Sequence, residues 1–115
     1  MLIKMLKSKI HRATVTQTDL EYEGSLTLDR DLIEAGGFLP HEKVHVFNID
    51  NGARLETYII EGKPGSGEVC LNGAAARLGH RGDKVIIVSF CLLTPEEAEG
   101  HKPTIVTVDN SNKVK

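Results

Sequence analysis

The sequence lacks several features that would assign it to a common class. No apolar run in its 115 residues approaches the ~18 needed to span a bilayer as a helix. The segment Met1–Lys7 is basic but alternates polar with apolar side chains, unlike the continuous apolar stretch of a secretory signal. There are two cysteines, Cys70 and Cys91, at a spacing that fits no metal motif, so the expectation is free thiols in the cytoplasm. No Gly-x-x-x-x-Gly-Lys phosphate loop, no Gly-x-Gly-x-x-Gly turn and no His-Glu-x-x-His helix is present. The five histidines, His11, His41, His45, His80 and His101, are scattered, and no metal site is expected from them. With 14 basic and 16 acidic residues, net charge −2, the chain has little to offer nucleic acid or an anionic membrane, which bind clustered positive charge.

What is present fits one globular domain, with 40% hydrophobic and 26% charged residues. A chain of this length buries roughly two-thirds of its unfolded surface, enough for a core without disulfide or metal. Lys9–Thr16, Glu42–Ile49, Leu55–Ile60, Glu68–Leu71, Val85–Leu93 and Thr104–Val108 read as strands, from alternation or β-branched content. Val85–Leu93 is apolar enough to be buried on both faces. Asn51-Gly52 predicts a type I′ hairpin turn, and residues 110–115 read as a solvated tail. Short helices are expected after three caps: Asp29, with Gly36-Gly37 as the stop; Asn72, over Ala74–Ala76; and Thr94, with Pro95 and two glutamates in the first turn. Gly65-Ser66-Gly67 reads as a surface turn. This strand-rich pattern predicts a mainly β protein, a small barrel with a few short helices across its openings.

The segment Tyr22-Glu23-Gly24-Ser25 is by composition a turn between strands. It also permits a reaction. Glycine allows strained backbone that brings the next hydroxyl close to the preceding carbonyl carbon, and holding both groups in one peptide can contribute about 7–11 kcal/mol.

Six segments carry a resemblance: Lys9-Ile10-His11-Arg12, Tyr22-Glu23-Gly24-Ser25, Asn51-Gly52-x-Arg54, Thr57-Tyr58, Asn72-Gly73-Ala74-Ala75-Ala76 and Gly82-Asp83-x-Val85-Ile86-Ile87. In this order, over roughly residues 1–100, they resemble the bacterial pyruvoyl-dependent aspartate decarboxylases. The resemblance implies a double-psi β-barrel spanning 1–115, assembled as a homotetramer with active sites between subunits. It implies a proenzyme that cleaves itself between Gly24 and Ser25 into a β chain, 1–24, and an α chain, 25–115, whose N-terminal pyruvoyl cofactor derives from Ser25. The implied reaction is decarboxylation of L-aspartate to β-alanine and carbon dioxide through a Schiff base, on the way to pantothenate and coenzyme A. Some relatives need a separate maturation factor.

The resemblance also implies roles. Thr57 and Asn72 match groups that polarise the Gly24 carbonyl during cleavage; otherwise they are a strand-face hydroxyl and a helix cap. Lys9 and Arg54 match a cationic clamp for the substrate carboxylates, Arg54 being suited to bidentate contact; otherwise they are solvated charges. Tyr58 matches the proton donor, since a phenol carries its proton at neutral pH. Gly73, Ala74 and Ala75 match small residues set against the cofactor, Ile86 a pocket-lining residue, and His11 and Tyr22 groups behind the cleavage turn. Phe47 stands where some relatives carry tryptophan. The competing reading is a non-enzymatic β-barrel that binds nucleic acid through Lys4, Lys7, Lys9 and Arg12.

Overall fold

The computed structural model describes residues 1–115. The chain is mainly β, as expected. Its elements in order are β1 (Ile3–Thr14), β2 (Gln17–Asp19), β3 (Ser25–Asp29), α1 (Arg30–Gly36), β4 (Lys43–Asn48), β5 (Arg54–Gly62), β6 (Val69–Asn72), a 3-10 helix (Gly73–Leu78), β7 (Lys84–Leu93), α2 (Pro95–Glu99) and β8 (Thr104–Thr107). No helix is long and apolar enough to cross a membrane.

The strands form one sheet in the order β2-β6-β3-β5-β4-β7-β1-β8. β2, at one end of this order, is the continuation of β1 near the other. Only Val15 and Thr16 separate them, donating their N–H groups to Asp83 O at 2.8 Å and Val69 O at 2.9 Å. The chain therefore bends the sheet back on itself at Thr14–Gln17, with no hydrogen-bonded ladder between the two edge strands. β3 pairs parallel with β5 and antiparallel with β6, which brings residue 25 beside residue 72.

Inside lie Ile10, Leu26, Leu28, Val44, Val46, Ile59, Leu71, Val85 and Ile87, all fully buried. Each contributes about 1.5–3 kcal/mol by leaving water. They sit at alternate strand positions, the period that turns one strand face inward.

Two of the three expected helix caps, Asp29 and Thr94, are present. Asp29 accepts from Asp31 N, and Gly37 ends α1 in the left-handed conformation at φ 69°. Thr94 and Glu97 form a reciprocal capping box on α2. Asp29 also accepts from Gly65 N at 3.0 Å and Gly67 N at 2.7 Å, so Gly65-Ser66-Gly67 is tied to the end of β3.

Four expectations are corrected. β1 begins at Ile3, because the alternating start of the chain pairs with the far end of β7, Ile3 opposite Leu93. β7 is not buried on both faces: Phe90 and Leu92 are exposed on the barrel's outer side. The Asn51-Gly52 turn is not type I′, since Gly52 has φ 76° but Asn51 does not adopt positive φ. Asn48 organises a wider loop there, its carbonyl accepting from Gly52 N and its side chain from Asp50 N. Residues 110–115 are not a solvated tail: Asn112 is buried and bonded to Thr14 and Gly67, and Val108 bridges Val114.

Candidate active site

Ser25 opens β3 and Asn72 closes β6, and they are lateral partners in the antiparallel ladder. Both are buried. Asn72 Nδ2 donates to Ser25 Oγ at 3.0 Å and to Thr27 Oγ1 at 2.8 Å. The Ser25 hydroxyl donates to Glu23 O at 2.9 Å. Cys70 Sγ donates to Asn72 Oδ1 at 3.1 Å. The directions agree along the chain of groups: the serine proton is committed to a carbonyl, so its oxygen receives the amide, and one lone pair remains for attack.

Asn72 does not cap the helix that follows. Its backbone is extended and its side chain makes no capping bond. The hydrogen-bonding capacity of the amide is turned towards Ser25, Thr27 and Cys70 instead. The 3-10 helix is held at its far end, where Leu78 O accepts from Asn48 Nδ2 at 3.2 Å and Asn51 Nδ2 at 3.0 Å.

Glycine at position 24 permits strained backbone. Gly24 is outside the positive-φ region, and a side-chain carbon there would meet nothing within 4 Å. The constraint lies across the turn at Gly73, with φ 63°, where such a carbon would fall 2.6 Å from Gly24 Cα and 3.1 Å from Tyr22 O. Small size at residue 73 is therefore what lets the 22–25 turn lie flat on the end of β6.

Beside the Gly24–Ser25 bond is a cleft of about 350 Å³ bordered by Gly24, Thr57, Tyr58, Asn72, Ala74 and Ala75. Ala74 and Ala75 keep it open. Tyr58, on the outward-facing side of β5, is partly exposed and stacks with His41 at 6.4 Å between ring centroids. The cleft thus joins the Gly24 backbone, a threonine hydroxyl and a phenol.

The other candidate residues lie elsewhere in this chain. Arg54 covers the Phe47 ring at 3.8 Å and lines a second cleft, of about 510 Å³, with Lys4 and His45. Leu55 and Glu56 are common to both clefts, so the second adjoins the first along β5. Glu56 is held below the usual carboxylate range by its hydrogen bond and proximity to Lys43, then by His45. Lys9, on β1 opposite Val88, borders neither cleft. Ile86, paired in register with Phe47, lines a separate depression with Phe47 and Arg54. His11 lines a third cleft with Arg12 and Lys84, its Nδ1 buried without a partner; burial, then Lys9 and Arg12, push its pKa down. Tyr22 borders a shallow depression behind Asn72, with Thr27 and Cys70. No group of three His, Cys, Asp or Glu side chains is placed to hold a metal ion.

The basic residues of the competing reading do not form one stripe. Lys7 is paired with Glu42 at 2.9 Å, Lys4 lines the Arg54 cleft, and Arg12 lines the His11 cleft.

Sequence reading missed Thr27 and Cys70. The available signal was the strand period: Thr27 stands two residues after Ser25 and Cys70 two before Asn72, so each shares a strand face with a residue already singled out.

Comparison with known proteins gives the family. The family model described as aspartate decarboxylase matches residues 1–115. An aspartate 1-decarboxylase of Caldicellulosiruptor saccharolyticus is 62% identical over 114 residues, 99% of this chain and 89% of that protein. The aspartate 1-decarboxylase of Dehalococcoides mccartyi strain 195 is 57% identical over 110 residues, 96% of this chain and 89% of its own length. That of Bacillus subtilis is 56% identical over 110 residues, covering 96% and 87%. With a match of this extent running through the Gly24–Ser25 turn and the Asn72–Ala75 segment, the chain belongs to the aspartate decarboxylase family.

Proposed function

We propose that this chain decarboxylates L-aspartate to β-alanine, and that it first makes its own catalytic carbonyl by cutting itself between Gly24 and Ser25. The observation that carries the reading is the buried Ser25 hydroxyl, held between Asn72 Nδ2 and Glu23 O directly after an unencumbered Gly24. Attack of Ser25 Oγ on the Gly24 carbonyl carbon forms an ester and frees the Ser25 amine. Loss of the Ser25 α-proton then expels Gly24 as a carboxylate and leaves a dehydroalanine. One water converts that residue to a pyruvoyl terminus and releases ammonia. Of the 115 residues, 24 precede the cut and 91 follow it.

The residues around Ser25 fit such a group: Asn72 offers donor hydrogens, and Gly73, Ala74 and Ala75 present no bulk against the terminus. An α-keto terminus supplies an electron sink for carbon dioxide loss, which no ordinary side chain provides. Thr57 holds the Gly24 oxygen as it gains charge, one such donor being worth about 3–4 kcal/mol, while Asn72, with its amide hydrogens on Ser25 and Thr27, holds the attacking hydroxyl. Tyr58, at the mouth of the cleft, returns a proton to the substrate carbon. Arg54 and Lys9 clamp the substrate carboxylates.

Because Lys9 and Arg54 stand outside the Ser25 cleft of one chain, completing the clamp calls for a second copy, and a homotetramer is the assembly we propose. Exposed Phe90, Leu92 and Ile105 supply apolar surface for it. The product would feed pantothenate and coenzyme A synthesis in the cytoplasm, a reducing compartment suited to the two free cysteines.

Intact-mass analysis is the decisive experiment. Incubation should give two fragments, the larger starting at position 25 and one ammonia lighter than a serine terminus requires. The mature protein should release carbon dioxide from aspartate and elute as a tetramer. Protein that stays whole, alone and with bacterial lysate as a source of maturation factor, refutes the reading, as does full cleavage without decarboxylation.

A further inference from the structure

We propose that Cys70 is a positioning residue for the self-cleavage, its thiol fixing the Asn72 amide so that Nδ2 faces Ser25. This rests on the reading that the chain cuts itself after Gly24.

An asparagine amide can be placed in two orientations, and the groups around it decide which one is stable. Two of its neighbours, Ser25 Oγ and Thr27 Oγ1, are hydroxyls that either give or take a hydrogen bond. They do not discriminate between the ends of the amide by themselves. The third neighbour is Cys70 Sγ, 3.1 Å from Oδ1. A protonated thiol is a donor and a poor acceptor, so it favours the carbonyl end of the amide. Burial raises the Cys70 pKa to about 11, which keeps the proton on sulfur at any physiological pH. With Oδ1 turned to Cys70, both Nδ2 hydrogens point at the hydroxyls, and Ser25 directs its own proton to Glu23 O.

The geometry is rigid. Cys70 and Asn72 are alternate residues of β6, both buried, and Cys70 is paired in register with Thr27 on one side and Gln17 on the other. The Cys70 thiol is hydrogen-bonded to Asn72 rather than to Ser25 or the peptide to be cut; it acts through Asn72.

Two substitutions separate this role from packing. Cys70→Ser keeps a donor but is smaller and more polar, whereas Cys70→Val fills the space, suits a strand and donates nothing. The measurement is the rate at which purified precursor becomes two fragments, with thermal unfolding recorded in parallel. Cys70→Ser should cleave within about threefold of the wild-type rate and Cys70→Val about tenfold slower or worse, the loss of one donor. If Cys70→Val does not fold, Cys70→Ala is the donor-free substitute. Cleavage of the donor-free variant at the wild-type rate, or a serine variant as slow as the valine one, overturns the proposal. Failure of the wild-type chain to cleave would instead strike the proposed function. The Asn72 contact is then read from exchange of its side-chain amide protons, expected slow in wild type and Cys70→Ser and faster in Cys70→Val; equal exchange in all three overturns the inference.

Discussion

Gly73 and Gly24, 49 positions apart in the chain, lie backbone against backbone: a methyl group on Gly73 would sit 2.6 Å from Gly24 Cα and 2.8 Å from Gly24 N. No side-chain carbon tolerates that approach. The φ of 63° at Gly73 adds a second penalty for any other residue. The 22–25 turn is thus seated on a glycine at the end of another strand.

Gly73→Ala should therefore lower stability by about 1–3 kcal/mol and displace the 22–25 turn, slowing cleavage. Gly24→Ala, where nothing lies within 4 Å of the added carbon, should unfold at nearly the wild-type temperature. Thermal denaturation of the two variants side by side checks the asymmetry. Equal stabilities would show that the contact between the two glycines is not restrictive.

Arg54 is exposed and rests on Phe47 outside the Ser25 cleft, so its removal should leave folding and self-cleavage unchanged. The carboxylate clamp proposed for it would act only on substrate. Arg54→Ala is expected to raise KM for aspartate about ten- to a hundredfold, the loss of a charge-assisted hydrogen bond. Arg54→Lys should recover part of this, because a lysine keeps the charge but cannot make the bidentate contact. An unchanged KM in Arg54→Ala would remove Arg54 from the substrate site.

Much of this architecture could be read from local chemistry. Strands declared themselves by alternation, and Asp29 and Thr94 announced helix starts because capping needs only neighbouring residues. Asn72 shows the limit: a cap residue before Gly73-Ala74-Ala75 is locally convincing, yet tertiary pairing with β3 offers its amide two buried hydroxyls and a thiol. Position 112 fails for the same reason, since only folding reveals that Thr14 and Gly67 leave backbone groups for it to satisfy. The Ser25–Asn72 meeting was implied by family resemblance and invisible to spacing, because residues 47 apart are brought together by sheet order alone.

Asp83 carries the main pH prediction. Its carboxylate accepts from Asn48 Nδ2 and His80 N, both at 2.9 Å, and these bonds, the Asn48 one first, hold its pKa below the ordinary range. The unfolded chain binds a proton at higher pH than the folded one, so this stabilisation is complete above the usual aspartate pKa and disappears as pH falls through the depressed folded value. Asp83→Asn should lower the melting temperature at pH 7, and the difference should shrink as the pH falls below the ordinary aspartate range towards the depressed folded value. A constant difference across that range would mean that the Asp83 charge contributes nothing. The same carboxylate sits where Asn48 secures Leu78 O, so the variant should also loosen the far end of the 3-10 helix.

Asn112 joins three parts of the chain. Its Oδ1 accepts from Thr14 N, and its Nδ2 donates to Thr14 O and Gly67 O, each at 2.8 Å. Thr14 is the last residue of β1, just before the bend into β2, and Gly67 belongs to the turn that Asp29 also holds. One buried side chain therefore ties the bend between β1 and β2 to the turn leading into β6, the strand that presents Asn72. Asn112→Ala removes all three bonds, leaves partly or fully buried backbone groups without partners, and places alanine at φ 60°, which asparagine tolerates better. The expected loss is about 2–4 kcal/mol, or on the order of 10 °C in Tm for a domain of this size. Asn112→Gly accepts the backbone conformation without restoring any bond, so it should recover only the smaller, conformational part. If glycine restored full stability, the side-chain bonds would be irrelevant and backbone geometry alone would hold the segment in place.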